Sequence, residues 1–302
     1  MTDPIKLIGN VASPYTRKMV AYLRYKRIPY EVIWGQPENV LEEMKIEPPK
    51  PILLPVFILD RDGQATAVTD STPLIREFEE KYPDRSVLPK DPALNFINYV
   101  LEDFGDEWCT KFMFHYRWYF DEDADNAGTI LPLGINNVLK DDELAFFKEH
   151  FAKRQIDRLW VVGSNDDTAE FIDKSYKNVL SIFEEHFKKH PFLLGNFPSS
   201  CDFSVYGQFT QLVGFDPTPR RIAHEISPRT VAYVNTLDDR GGLDYVEENN
   251  SLDSLSDSIH DLFKELSNSY VPTMIKNHKA IKEGEKEWSV DLAGYPWKQK
   301  SF

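Results

Sequence analysis

The chain has 302 residues, a hydrophobic fraction of 41% and a net charge of −14. That is enough apolar matter for one large domain or two ordinary ones, and the acidic balance argues against nucleic acid and anionic membrane surfaces as partners. No apolar run reaches the roughly 18 residues of a membrane span, no basic-then-apolar leader is visible, and Cys109 and Cys201 stand far apart; the expectation is a cytoplasmic protein without disulfides.

Ile5 to Ile8 is a short apolar run that reads as a strand. Ser13-Pro14-Tyr15-Thr16-Arg17-Lys18 then opens an amphipathic helix with Met19, Val20, Tyr22 and Leu23. Ser13 suits the N-cap and Pro14 the first helical position, since neither wastes a backbone donor there. A helix N-terminus carries unpaired N–H groups and partial positive charge, which favour an anion such as a thiolate. Arg17, Lys18, Arg24, Lys26 and Arg27 make this helix locally basic. That charge is either a solvated face or a positive field over an anionic ligand; Arg17 itself is expected in solvent. Leu53-Leu54-Pro55-Val56-Phe57-Ile58 places a proline in a strand-like run, where it belongs at an edge or a special bend. Asp62-Gly63 is a hairpin turn, and Ala65 to Val68 is the returning strand. Thr69-Asp70-Ser71-Thr72-Pro73 caps a helix that ends near Tyr82-Pro83.

The order β-α, irregular linker, β-β-α in the first 86 or so residues resembles the α/β thioredoxin-like domain of soluble glutathione transferases. In that family a Ser, Tyr or Cys starts the first helix, a cis-proline follows, and an acidic-Ser pair opens a later helix; Ser13, Pro55 and Asp70-Ser71 stand in that order here. Ser13-Pro14-Tyr15 looks most like the Ser-type classes such as tau. The resemblance implies glutathione as co-substrate and no metal. It makes Ser13 the catalytic residue, with Pro14, Tyr15, Leu54, Pro55, Asp70 and Ser71 around the tripeptide and Leu54-Pro55 in the cis form. Glutathione's thiol, like free Cys, has a pKa near ~8.5 and conjugation needs its thiolate. Ser13 cannot be a base at neutral pH. Its hydroxyl can donate to the thiolate, and one such bond of ~1.5–3 kcal/mol lowers the pKa by about one to two units. Leu53 departs from the Lys or Gln that the family often carries before the cis-proline; Lys45 and Lys50 are the candidates to replace it.

Ser86-Val87-Leu88-Pro89-Lys90-Asp91-Pro92 marks a boundary between a domain at 1–86 and a helical one at 92–302. From Ala93 the apolar residues Ile97, Leu101, Phe104, Trp108 and Phe112 recur at helical spacing. Gly128 to Asn137 breaks the pattern, and Phe147, Phe151 and Ile156 resume it. Further helices are expected at 169–187, 204–213, 227–237 and 251–267, giving an all-α bundle with an extended tail. Phe192-Leu193-Leu194-Gly195-Asn196 with Pro198-Ser199-Ser200-Cys201-Asp202 is similar to a second segment of the same family, where Ser199 and Asp202 form a capping box. Trp108, Phe112, His115 and Tyr116 are the candidate walls of a pocket for a small hydrophobic electrophile, with His115 and Arg117 as polar contacts. His186 and His190 sit beside lysines and are expected on the surface rather than on a metal. The resemblance also implies a homodimer. Two functions remain open at this point: a glutathione transferase, or a noncatalytic protein of the same fold that binds ligand or serves in stress response.

Overall fold

The computed structural model describes residues 3–301 apart from residues 247 and 249. The first domain comprises β1 (Ile5–Gly9), α1 (Pro14–Lys26), β2 (Tyr30–Trp34), α2 (Pro37–Met44), β3 (Val56–Arg61), β4 (Gln64–Val68) and α3 (Ser71–Lys81). Its sheet has the order β2-β1-β3-β4, with β1 parallel to β2 and antiparallel to β3. Central strand β1 is apolar on both faces because helices cover both. Leu7 belongs to the same buried core as Met19, Tyr22, Ile75 and Phe78 of α1 and α3; Ile8 belongs to a second one with Leu41 of α2 and Val56. Asp62 and Gly63 both take positive φ in the β3–β4 turn, as a tight hairpin requires. This is a thioredoxin-like α/β domain.

The second domain is mostly helical. It runs through α4 (Pro92–Asp103), α5 (Cys109–Tyr119), α6 (Asp121–Ile135), α7 (Asp141–Ile156), α8 (Ala169–His186), α9 (Ser200–Thr210), α10 (Pro217–Ile226), α11 (Pro228–Leu237), α12 (Asp257–Asn268) and α13 (Tyr270–Glu283). A π-turn at Phe104–Trp108 joins α4 to α5, and another at Gln211–Phe215 follows α9. Helix α9 passes between α1 and the first π-turn. It fits only because two residues lack a Cβ: one on Gly207 would fall 2.5 Å from Pro14 O, and one on Gly105 would fall 2.3 Å from Ser204 Oγ. Asp202 closes the α9 capping box by accepting from Ser199 N at 2.8 Å. No helix among the described residues is long and apolar enough to cross a membrane.

Three features differ from the sequence expectation. Helix α6 runs through Gly128, because that glycine lets Lys148 of α7 lie against it, and Pro132 falls in its last turn. Helix α7 fully buries no residue: Phe147 and Ile156 are exposed, and Phe151 is half-buried against Trp118. The tail ends in a two-stranded hairpin, β5 (Glu287–Leu292) and β6 (Tyr295–Lys300), which seats Trp297 against Trp108 and Phe171.

The basic residues of α1 and its C-cap Arg27 are engaged by the rest of the protein. Arg17 and Arg24 both pair with Asp238, at 2.5 and 2.8 Å, and Arg27 donates to Gly241 O at 2.7 Å. Lys26 pairs with Glu79 at 2.8 Å. These cations fasten the first domain to the second and to α3.

Candidate functional site

The loop after β1 delivers Ser13 to the start of α1. Its Oγ accepts the Thr16 N–H at 3.2 Å, so it caps the helix and keeps its own proton to donate. Ser13 faces a cavity of about 630 Å³ between the two domains. Tyr15, Leu54, Asp70 and Ser71 line the same cavity. Pro14 and Pro55 are buried behind it, and the Leu54–Pro55 peptide is cis. Asp70 takes φ 80° and ψ 111° at the entry to α3, with no capping bond from its side chain. That backbone conformation is strained for an L-residue. Tyr15 donates to Asp106 O at 2.8 Å. Burial first, then Asp106 and Glu107, push its pKa well above the phenol range, so it stays neutral.

The opposite wall is polar. Tyr99, Asp103 and Glu107 share one face of α4 and its π-turn, and Glu102 and Asp106 lie beside them. Beneath the cavity Lys18 is buried and holds four groups together. Its Nζ lies 2.7 Å from Asp106 Oδ2, 3.1 Å from Glu102 Oε1, 3.0 Å from Ser71 Oγ and 3.3 Å from Thr72 Oγ1. Burial opposes the ammonium, but Asp106 and Glu102 outweigh it and hold its pKa above the ordinary lysine value. Glu102 also accepts from Ser200 at 2.7 Å and pairs with Arg76, and Asp106 accepts from Ser204 at 2.9 Å. Glu102 therefore stays below the usual carboxylate range despite its burial, whereas burial lifts Asp103, Asp106 and Glu107 above it. The network ties α1, the start of α3, α4 and α9 into one floor.

Residues 7–86 match the family "Glutathione S-transferase, N-terminal domain". The match runs from within β1 to just past α3 and so covers nearly all of the first domain. Several solved structures are similar over most of the chain. A glutathione S-transferase from Methylobacterium radiotolerans, in complex with glutathione sulfonate, is 16% identical, with 82% of this chain and 99% of that one covered and a TM-score of 0.49. Poplar glutathione transferase F1 is 18% identical, covering 79% and 94%, at 0.47. FzlA from C. crescentus is 14% identical, covering 83% and 98%, at 0.48. No curated protein matches the sequence.

In this transferase-type domain the residues expected around Ser13 come together, but the expected electrophile walls do not join them. Trp108, Phe112, His115 and Tyr116 are fully buried and line no part of the Ser13 cavity. Trp108 packs on Phe112, Phe171 and Trp297; Phe112 and Tyr116 both meet Tyr176. They are core because α8 and the tail hairpin cover the face of α5 that the sequence left open. His115 bonds Ser164 Oγ at 2.7 Å, and burial pushes its pKa down to about 4. Arg117 is buried too, bridging Asp216, Gln211 and Ala12 O. His186 is likewise buried, held between Ser258 Oγ and Phe192 O. Lys45 and Lys50 are exposed and do not line the cavity. The network of Lys18, Glu102 and Asp106 was missed in the sequence; its one signal there is a lysine that shares a helix face with Tyr22 and Tyr25.

Proposed function

We propose that this chain is a glutathione-dependent transferase in which Ser13 donates a hydrogen bond to the glutathione thiolate. The observation that carries this is the convergence of Ser13, Leu54, Asp70 and Ser71 on one cavity in a glutathione S-transferase N-terminal domain. On this reading the backbone of Leu54 pairs with the cysteinyl peptide, Asp70 takes the γ-glutamyl ammonium, and Ser71 with the first N–H groups of α3 takes the adjacent carboxylate. Lys18 supports that last contact by donating to Ser71 Oγ, which leaves the Ser71 proton for the ligand. The thiolate then attacks a small electrophile, forming the C–S bond as the leaving group departs; the thiol proton goes to solvent. We further propose a homodimer working in the cytoplasm, where buried, unpaired Cys109 and Cys201 stay reduced.

A noncatalytic member of the fold is the second reading, and one observation favours it. None of the residues lining the cavity is Lys, Arg or His, and Leu53 stands exposed where the family often carries Lys or Gln. Calorimetric titration with glutathione, followed by conjugation kinetics with an activated aryl halide, separates the two. Binding with turnover supports the enzyme. Binding without turnover supports the second reading, and absence of both removes glutathione from the site.

A further inference from the structure

Helix α7 fully buries none of its own residues, yet it encloses space. A cavity of about 360 Å³ lies between α2 of the first domain and the α6–α7 hairpin. That volume is within the roughly 300–1,000 Å³ of sites that take small organic molecules. Its apolar lining comes from Leu131, Pro132, Ile135, Leu139, Phe147 and Phe151. Asn39 of α2 and Gln36 just before it, with Asn136, supply the polar part. None of these residues lines the Ser13 cavity.

The lining is selective in charge. The chain is 28% charged, so nine residues drawn at random would include two or three charges; these nine include none. The three amides can donate and accept hydrogen bonds but cannot compensate an ion. A charged ligand would give up its hydration to six apolar side chains without an ion partner. The frame behind the cavity is built. Phe151 packs edge-on against buried Trp118, Gly128 lets α7 close on α6, and Lys148 pairs with Asp125 across the hairpin. On the cavity itself Ile135 and Phe147 remain 37% and 48% exposed, apolar surface that an occupant would cover.

We propose that the space between α2 and the α6–α7 hairpin is a binding site for an uncharged, mainly apolar small molecule bearing one hydrogen-bonding group. The site stands independently of the glutathione assignment, because it uses none of the same residues.

The test is titration of the whole protein with N-phenyl-1-naphthylamine, a neutral fluorescent probe with a single N–H. We expect saturable binding of one probe per chain. Ile135→Trp, which fills the cavity from a partly exposed position, weakens it at least about tenfold. Asn39→Asp, on the surface of α2, weakens it severalfold by placing a charge beside the probe, while Asn39→Leu does not. Circular dichroism melts check that all three variants stay folded, and glutathione titration runs in parallel to keep the two sites apart. Failure to saturate, or equal affinity in wild type and Ile135→Trp, overturns the proposal. So does a concentration-dependent doubling of mass that Ile135→Trp abolishes while the probe fails to bind, because the occupant is then a second copy of the chain.

Discussion

Lys18 Nζ lies 2.7 Å from Asp106 Oδ2 under the floor of the Ser13 cavity, with the lysine side chain 1% exposed. The same ammonium serves Glu102, so removing it leaves two buried carboxylates with one fewer cation. Breaking a buried pair in this way costs about 3–5 kcal/mol, because the remaining charge has no water to turn to. Lys18→Met should therefore lower the unfolding free energy by that order. Adding Asp106→Leu should recover part of the loss, since the second change removes a stranded charge. Urea denaturation of the three proteins measures this; additive losses would mean that the two groups are not coupled.

Ser13→Ala should slow conjugation far more than it weakens glutathione binding, because in the proposed function the thiolate is the part of glutathione that the hydroxyl bonds. The loss of one preorganised donor is worth about 2–3 kcal/mol in rate, near a hundredfold. Helix α1 also loses its cap, about 1 kcal/mol of stability. Steady-state kinetics and a melting curve separate the two effects. Unchanged kinetics beside a lowered melting temperature would leave Ser13 as a cap and nothing more.

The first domain was legible because its devices are local. Ser13-Pro14, Asp62-Gly63 and Asp70-Ser71 each fix their own backbone, and the structure places them at the helix start, hairpin and helix entry that those residues imply. The electrophile walls were not legible. An aromatic stripe on α5 reads the same whether it faces a pocket or a neighbour, and the neighbours, Tyr176 and Trp297, lie 60 or more residues away in sequence. The tail hairpin had a local signal that went unread: Trp288, Val290 and Leu292 alternate with polar residues, and Ala293-Gly294 takes positive φ at both positions. Lys18 was the hardest case, since only the fold shows that a lysine between apolar neighbours meets two acids.

Asp70→Gly should raise stability and reduce glutathione affinity. At φ 80° and ψ 111° an aspartate is strained by about 1–3 kcal/mol, and glycine adopts that conformation freely. Glycine's extra freedom in the unfolded chain returns part of that gain, leaving a net of about 1 kcal/mol. The carboxylate proposed for the γ-glutamyl ammonium is lost at the same time. A higher melting temperature with weaker glutathione binding by calorimetry is the expected pair of results. Lower stability would mean that the side chain contributes more than the strain takes away.

His115 should make the fold sensitive to acid. Burial holds its pKa at about 4, against about 6.5 in an unfolded chain. The neutral form is favoured by folding, so its contribution is complete above pH 6.5 and is lost as pH falls towards 4. The loss is of order 3 kcal/mol at most. Asp202 and Asp216, each raised by burial to about 6, work in the opposite sense: they favour folding when protonated, and lose that contribution as pH rises from about 4 to 6. His186, likewise pushed down by burial to about 4, acts with His115, so the two histidines oppose the two aspartates and the wild-type profile between pH 4 and 6.5 should be shallow. The difference between wild type and His115→Phe isolates the histidine. It should shift in favour of the variant on acidification, by urea denaturation at pH 7, 5.5 and 4.5; a constant difference would show that His115 does not titrate with unfolding.

The proposed homodimer has a surface to use. Phe96 is 65% exposed and Tyr99 51% exposed, three residues apart on α4, and Arg76 of α3 lies 5.8 Å over the Tyr99 ring. This apolar strip therefore sits where the two domains adjoin at the cavity mouth. The C-terminal tail does not cover it: Tyr270 bonds Asp103 and meets Phe104, and Trp297 packs on Trp108, leaving Phe96 open. A twofold pair that sets α3 of one protomer against α4 of its partner would bury both copies of the strip. Light scattering at micromolar concentration should give twice 35.1 kDa. Phe96→Lys places a charge at the centre of that contact, where its desolvation has no compensating partner, and should return a monomer with an unchanged melting curve at low protein concentration. A wild-type mass of 35.1 kDa removes the dimer; a dimer that survives Phe96→Lys moves the interface away from α4.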